Sequence, residues 1–232
     1  EEEFQFHEAF RGKGKKAGLD VWRIENFEPV EQDPKTHGQF YNGDAYIVLN
    51  TRAFSNSFQH DIHFWLGKNS AQDERGSAAI LTVELDVYLG ETAVQHREVQ
   101  GHESKLFLGL FKKGFKILDG GVKSGFNKVD DIKHQKRLFQ CKGKHTVRVE
   151  QVEVKCASLN QSDVFILDDG PKMYVWVGPK SSHMERVKGT DMARQIRDDE
   201  KGGKAQIEII EKEWETHTEF FKALGKSTNR DH

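Results

Sequence analysis

Apolar residues between Gln72 and Leu89, in QDERGSAAILTVELDVYL, recur on two opposite sides of a helix. At about 100° per residue, Ala78, Leu81, Leu85, Tyr88 and Leu89 form one stripe able to cover a core. Ile80, Val83 and Val87 fall almost opposite, with Glu84 and Asp86 between the stripes. Asp73 and Glu74 occupy the first turn, where a helix N-terminus favours carboxylates, so the helix is expected to start near Gln72. The second stripe means either a helix buried on both sides or a face reserved for a partner.

Around this helix the pattern predicts alternating strands and helices. GLDVWRIENFEPV alternates as a half-buried strand, and Asp33, Pro34, His37 and Gly38 form the loop after it. FYNGDAYIVLNTR is a second strand entered from an Asn-Gly turn, and HDIHFWL is its hairpin partner, ended by Gly67. After the long helix, TAVQHREV reads as a strand and ESKLFLGLF as a helix carrying Leu106, Phe107, Leu110 and Phe111. GFKIL closes the unit as a short strand, and Gly120, Gly121 and Gly125 mark a joint.

Past that joint the order repeats. GDAYIVLN is echoed by SDVFILDD, HFWLGKNS by YVWVGPKS and VWRIE by TVRVE. In both copies a Glu-Arg pair follows the Trp at the same distance, nine residues from Trp65 to Glu74 and from Trp176 to Glu185. The second copy continues with ERVKGTDMARQIRDDE as its long helix, KAQIEII as a strand and THTEFFKALG as a short helix. Its central hairpin is shorter, with Trp176 lying 13 positions after Asp163 against 21 from Asp44 to Trp65. A tandem duplication of an α+β or α/β unit, helices packed on a mixed sheet, is expected.

Composition narrows the function. The formal net charge is −2, so no strongly basic field points to nucleic acid. The longest aliphatic run, AAIL, is far too short to span a membrane, and EEEFQF lacks the basic start and apolar core of a secretory signal. With 31% charged residues and no such span a soluble chain is expected, and Cys141 and Cys156 make no disulfide framework, which points to a reducing, cytosolic compartment. The chain starts without Met, as a processed or excised piece would. His96, Glu98, His102 and Glu103 crowd together in HREVQGHES, but no HExxH or nucleophile motif accompanies them, so a metal-dependent hydrolase is the weaker alternative and no enzyme is expected.

GDAYIVL, HFWLG, QDERGSAAI, LDVYL and AVQHREVQGHES together resemble the first repeat of the gelsolin, villin, severin and fragmin superfamily, and the likeness runs from about Gly18 to Gly225. The resemblance implies two tandem gelsolin-like repeats, each a five-stranded mixed sheet between one long and one short helix. It bounds them as an N-terminal extension over 1–17, repeat 1 over 18–124, a linker over 125–136, repeat 2 over 137–225 and a tail over 226–232. It implies a calcium-regulated protein of the cytoplasm and cytoskeleton that binds actin monomers and filaments, caps barbed ends and severs. The first long helix would wedge into the actin cleft through Ile80, Val83 and Val87, while Lys144, His145 and Arg186 would meet the filament side.

Calcium takes six to eight oxygen ligands. The resemblance implies one site from Gly43, Asp44, Glu74 and the Val122 carbonyl, and a second from Ser162, Asp163 and Glu185, with Ser162 where the family usually has Gly. In relatives a further carboxylate for the second site comes from beyond repeat 2. A third site combines Asp86 with the carbonyls of Glu91, usually Gly, and Ala93, completed by a glutamate of actin. The plainer readings are turn capping for Asp44, helix-start placement for Glu74 and a surface position for Asp86. Two basic stretches, Lys112, Lys113 and Lys116, then the run from Lys133 to Arg148 with Lys136, Arg137, Lys142 and Lys144, lie where relatives bind polyphosphoinositides. A solvated strand face is the alternative there, and a phosphoinositide-binding module without severing activity is the rival function.

Overall fold

Strand β1 (Gly18–Glu25) pairs antiparallel with both β2 (Glu28–Glu31) and β4 (Ala45–Phe54). The sequence reads GLDVWRIENFEPV as one strand, but it folds back on itself at Asn26 and Phe27. Both adopt positive φ, 51° and 66°, as the central residues of a tight two-residue hairpin do. The computed structural model describes residues 3–122 and 135–225. These fall into two compact units, one of residues 3–113 with 118–122, the other of Gly114–Ile117 with 135–225. Lys133 and the tail over 226–232 lie outside the described residues, as does most of the expected linker.

In the first unit β4 continues into β5 (Ser57–Leu66), which pairs in parallel with β6 (Val94–Val99) across helix α1 (Gln72–Tyr88). The sheet order is β2-β1-β4-β5-β6, mixed as expected. The period of two along β4 and β5 sends Ala45, Ile47, Leu49, Ile62 and Leu66 to one face, where they meet Ala78 and Leu85 of α1. Burying each large side chain of this kind contributes about 1.5–3 kcal/mol. Tyr46 and Trp65 point to the other face and pack with Phe40 of β3 (Gln39–Tyr41), which also meets Phe107 and Phe111. Helix α2 is shorter than the pattern in ESKLFLGLF predicts, spanning only Lys105–Leu108. Ser104 caps it, and Leu106 is exposed while Phe107 and Phe111 are buried.

The segment before β1 is part of this core and not a mere extension. A single 3-10 turn, Glu8–Phe10, drives Phe10 to 0% exposure against Trp22, the rings edge to face at 5.3 Å. Phe4 and Phe6 pack on Tyr88, whose hydroxyl accepts the Gly12 N–H at 2.8 Å.

In the second unit β8 (Arg137–Lys142), β10 (Val164–Asp168) and β11 (Lys172–Val177) are antiparallel neighbours, and β12 (Gln206–Ile210) adds in parallel to β11. On the other side β9 (Arg148–Val152) pairs with β8, and β7 (Lys116–Leu118) runs parallel to β9. GFKIL therefore does not close the first unit: Lys116 and Ile117 pair with Val149 and Glu150. Helix α3 (His183–Lys201) starts at a capping box, with the Ser182 and Glu185 side chains each accepting the other's backbone N–H. The short helix α4 (Thr218–Ala223) seats Phe220 among Leu138, Phe165, Leu167 and Tyr174. Among the described residues no helix is long and apolar enough to cross a membrane.

Candidate metal centres and partner face

The two stripes of α1 part in the fold. Ala78 and Leu85 are fully buried and Leu81, Tyr88 and Leu89 pack beside them, whereas Ile80 is 71% exposed, Val83 52% and Val87 43%. A helix buried on both sides is thereby excluded among the described residues. Three aliphatic side chains one helical turn apart stand in solvent, where each loses the burial its type favours.

Asp44 sits at the entry to β4 and is fully buried. Its Oδ1 accepts the Val122 N–H at 3.1 Å across 78 residues of sequence, so it is not a local turn cap. The strand entry and the glycine joint are laced together: the Gly43 N–H donates to the Gly120 carbonyl at 2.8 Å and Asn42 Nδ2 to Asp119 Oδ1 at 2.7 Å. A Cβ at Gly121 would stand 2.7 Å from Asp44 Oδ1, so the joint needs a glycine to approach the carboxylate. Burial pushes the Asp44 carboxyl above the usual range, against the Val122 N–H and Arg23. Glu74, in the first turn of α1, is also buried, and it lines a cavity of about 150 Å³ with Val122, Asp73, Glu25 and Ile24. Asp44 Oδ2 accepts no hydrogen bond, which fits a cation ligand. Among the described residues no three His, Cys, Asp or Glu side chains gather as a ligand set.

The second copy rebuilds the arrangement. Asp163 is buried at the entry to β10, and its Oδ2 accepts from Gln140 Nε2 at 2.6 Å and Asn160 Nδ2 at 2.8 Å. Glu185 lies beside it, held by the capping box, while Ser162 is exposed on the turn. Burial first, then the adjoining Asp163, pushes the Glu185 carboxyl upward. The same burial and both carboxylates push the Cys141 thiol up, so it stays protonated. A raised carboxyl pKa favours folding below the unfolded value of 4.5, and that contribution is lost as pH rises through the folded pKa. In chelator, Glu185→Gln is therefore expected to gain stability relative to the native chain as pH climbs through that window, and to hold a constant advantage above it. Urea midpoints of both proteins between about pH 4 and 8 measure this; parallel curves would show that no strained carboxylate sits there.

Two glycines shape both loops, Gly67, which the sequence marks only as a strand end, and Gly178, which it does not single out. Gly67 donates its N–H to the Asp44 carbonyl and Gly178 to that of Asp163, each at 3.0 Å. A Cβ would lie 2.3 Å from the Asn42 carbonyl oxygen at Gly67, and 2.5 Å from the Gln161 and Asp163 oxygens at Gly178. The signal was present in the repeated W-x-G pattern of HFWLG and YVWVG.

Asp86 is not an idle surface residue. Its Oδ1 accepts the Ala93 N–H at 3.0 Å and its Oδ2 the Gln95 amide at 2.8 Å, stitching the end of α1 to β6. Glu91 takes the left-handed conformation at φ 61° that a glycine there would adopt freely. The crowded HREVQGHES cluster is equally occupied. Glu98 accepts from His63 Nδ1 and from the Ser104 N–H and hydroxyl at the start of α2, Glu103 accepts from Trp65 Nε1, and His96 pairs with Asp61.

The basic stretches divide. Lys112, Lys113, Lys142, Lys144 and His145 are exposed, and Arg148 is half-buried. Lys116 and Arg137 are buried, which corrects their reading as lipid contacts. Lys116 lies 3.5 Å from Glu200, and Arg137 donates to Asp168 at 2.7 Å and to Glu200. Burial pushes the Lys116 ammonium below its usual range, with Glu200 opposing. Such cations are already desolvated and paired, so they cannot meet a headgroup without breaking those pairs. Lys136 is held by Asp169 and the Ala223 carbonyl, and Arg186 by Glu211.

The family model described as "Gelsolin repeat" matches residues 26–108 and again 145–218. The chain belongs to the gelsolin-repeat family. It is 51% identical over 204 residues to "Gelsolin, cytoplasmic" of Homarus americanus, covering 88% of this chain and 27% of that protein. It is 49% identical over 222 residues to "Gelsolin" of Gallus gallus, covering 94% and 28%. Against "Actin depolymerising venom protein gelsolin 1" of Platymeris rhadamanthus it is 46% identical over 228 residues, covering 96% and 60%. This pair of gelsolin repeats thus spans about a quarter of the length of the lobster and chicken proteins.

Proposed function

We propose that this pair of gelsolin repeats is a calcium-regulated, non-enzymatic actin-binding protein of the cytoplasm and cytoskeleton that caps barbed ends and severs filaments. The observation that carries this reading is the solvent-facing stripe of Ile80, Val83 and Val87 on a helix whose opposite side is fully packed. An apolar face so placed suits a hydrophobic cleft, the helix-in-groove mode of recognition. The relative from Platymeris rhadamanthus, whose name describes it as actin depolymerising, supports actin as the owner of that cleft. In the second repeat Lys144 and His145 are the exposed candidates for the filament side, with Arg186 available once it leaves Glu211.

Calcium enters through Asp44 and Glu74, with main-chain oxygens of Gly43 and Val122, and through Asp163 and Glu185, with Ser162. When bound it would neutralise carboxylates that are buried in its absence. Asp86, with the carbonyls of Glu91 and Ala93, is the site an actin carboxylate would complete. The exposed Lys112 and Lys113, and separately Lys142 and Lys144, are the contacts left for a polyphosphoinositide surface.

Monomeric actin is expected to co-elute with this chain in calcium and to separate from it in chelator. Calcium alone should raise the melting temperature, because a ligand of the folded state stabilises by RT ln(1 + [L]/Kd), about 2.7 kcal/mol at a hundredfold excess over Kd. Glu74→Gln should shrink that rise. Identical melting in calcium and chelator, with actin eluting alone in both, would defeat the proposal.

A further inference from the structure

Asp44 is not the only charge at its site. Arg23 lies on β1 directly across from Tyr46 of β4, which brings its side chain to the strand entry where Asp44 sits. Its Nη1 is 3.9 Å from Asp44 Oδ2, and its Nη2 donates to Glu25 Oε1 at 2.8 Å. The Arg23 side chain is only 19% exposed, and its Nε makes no hydrogen bond. Glu25 in turn lines the cavity it shares with Glu74 and Val122. A guanidinium at 3.9 Å offsets part of the Asp44 charge through space while leaving Oδ2 without a hydrogen bond.

We propose that Arg23 is a resident counter-ion of the Asp44 site, one that competes with an incoming divalent cation and so sets how tightly the site takes it. This rests on the reading of Asp44 and Glu74 as calcium ligands. A calcium ion bound to Oδ2 stands roughly 2.3–2.6 Å from that oxygen, which leaves it within a few ångströms of the Arg23 charge. The two cations repel at short range in a poorly solvated pocket, and they seek the same carboxylate. Glu25 acts against Arg23: it holds one arm of the guanidinium and offers the place to which Arg23 withdraws when the dication arrives. The strand ladder fixes both residues two apart on β1, so the pair works as one device, with Arg23 weakening cation binding and Glu25 restoring it.

Charge removal at the two positions therefore has opposite signs. In calorimetric calcium titrations of the full chain, Arg23→Gln is expected to tighten the site that Glu74→Gln deletes by on the order of tenfold. Glu25→Gln is expected to weaken the same site by a similar factor, because it releases Arg23 onto Asp44. Arg23→Lys, which keeps the charge, should stay near the native affinity, and Arg97→Gln, an exposed charge on β6, should change nothing. In chelator Arg23→Gln should melt below the native chain, and in saturating calcium it should recover most of the difference. Equal or weaker calcium affinity in Arg23→Gln would overturn the proposal. Should that variant fail to fold, unchanged affinity in Glu25→Gln would overturn it in its place. A native chain that takes up no more calcium than Glu74→Gln would instead remove the Asp44–Glu74 site itself, and the counter-ion role with it, an outcome recognisable without either Arg23 or Glu25 variant.

Discussion

Replacing Ile80 by aspartate should weaken actin binding by on the order of 100-fold while the chain stays folded. Ile80 is the most exposed of the three aliphatic residues on the outer face of α1, at 71%, and its neighbours Val83 and Val87 flank it toward the C-terminal end. A central apolar anchor in a protein interface contributes about 2–4 kcal/mol. A carboxylate forced into the same pocket adds the cost of stripping its water with no partner to receive it. At about 1.4 kcal/mol per decade the sum reaches two orders of magnitude or more. The fold should hardly notice, because exposed substitutions away from caps and cores usually fall within about 0.5 kcal/mol. Labelled-actin binding and thermal melting, run on the same preparation, test both halves. A folded variant with native affinity would take this stripe out of the interface, and one that unfolds would mean that Ile80 is packed after all.

Phe10→Ala carries the largest expected cost in stability. Phe10 is fully buried, edge to face with Trp22, and belongs to the same cluster as Ile47, Ala78 and Leu85. Truncating a buried Phe removes its transfer energy and leaves a cavity, together about 3–5 kcal/mol. Folded domains are stable by only about 5–15 kcal/mol, so the variant approaches the edge of folding. Phe10→Leu, which refills most of the volume, should lose clearly less. The urea midpoint of each variant measures it. A Phe10→Ala midpoint indistinguishable from the native one would show that the segment before β1 lies on the first repeat without supporting it. Because that core also seats the inner stripe of α1, loosening it should blunt the outer face as well, linking this prediction to the first.

Much of the architecture is legible along the chain because it is a property of neighbours. A helix displays its faces at a fixed angle per residue, so the two stripes of α1 could be separated before any fold was known. The duplication is equally local: like segments follow one another in like order, and two W-x-G turns announce two loops. Asp44 and Glu74, with Asp163 and Glu185, stood out for the same reason, each pair bracketing one hairpin.

What the tertiary structure decided concerns groups brought together from far apart, and charges whose surroundings no spacing reveals. The Val122 N–H reaches Asp44 from 78 residues away, and Arg23 meets the same carboxylate only because β1 lies beside β4. Lys116 and Arg137 looked like members of exposed basic runs, yet they are buried against Asp168 and Glu200. A lysine alternating with apolar residues reads the same whether its face meets water or a helix, and only the packing of α3 near β7 and β8 tells the two apart. Phe10 likewise lies in a polar, charged N-terminal stretch with no periodicity to mark it. Its burial depends on packing with Trp22, Ile47, Ala78 and Leu85, which only the folded sheet and α1 bring together. Local order fixes which faces a chain can offer; the free energy of removing them from water, summed over distant partners, selects which ones stay buried.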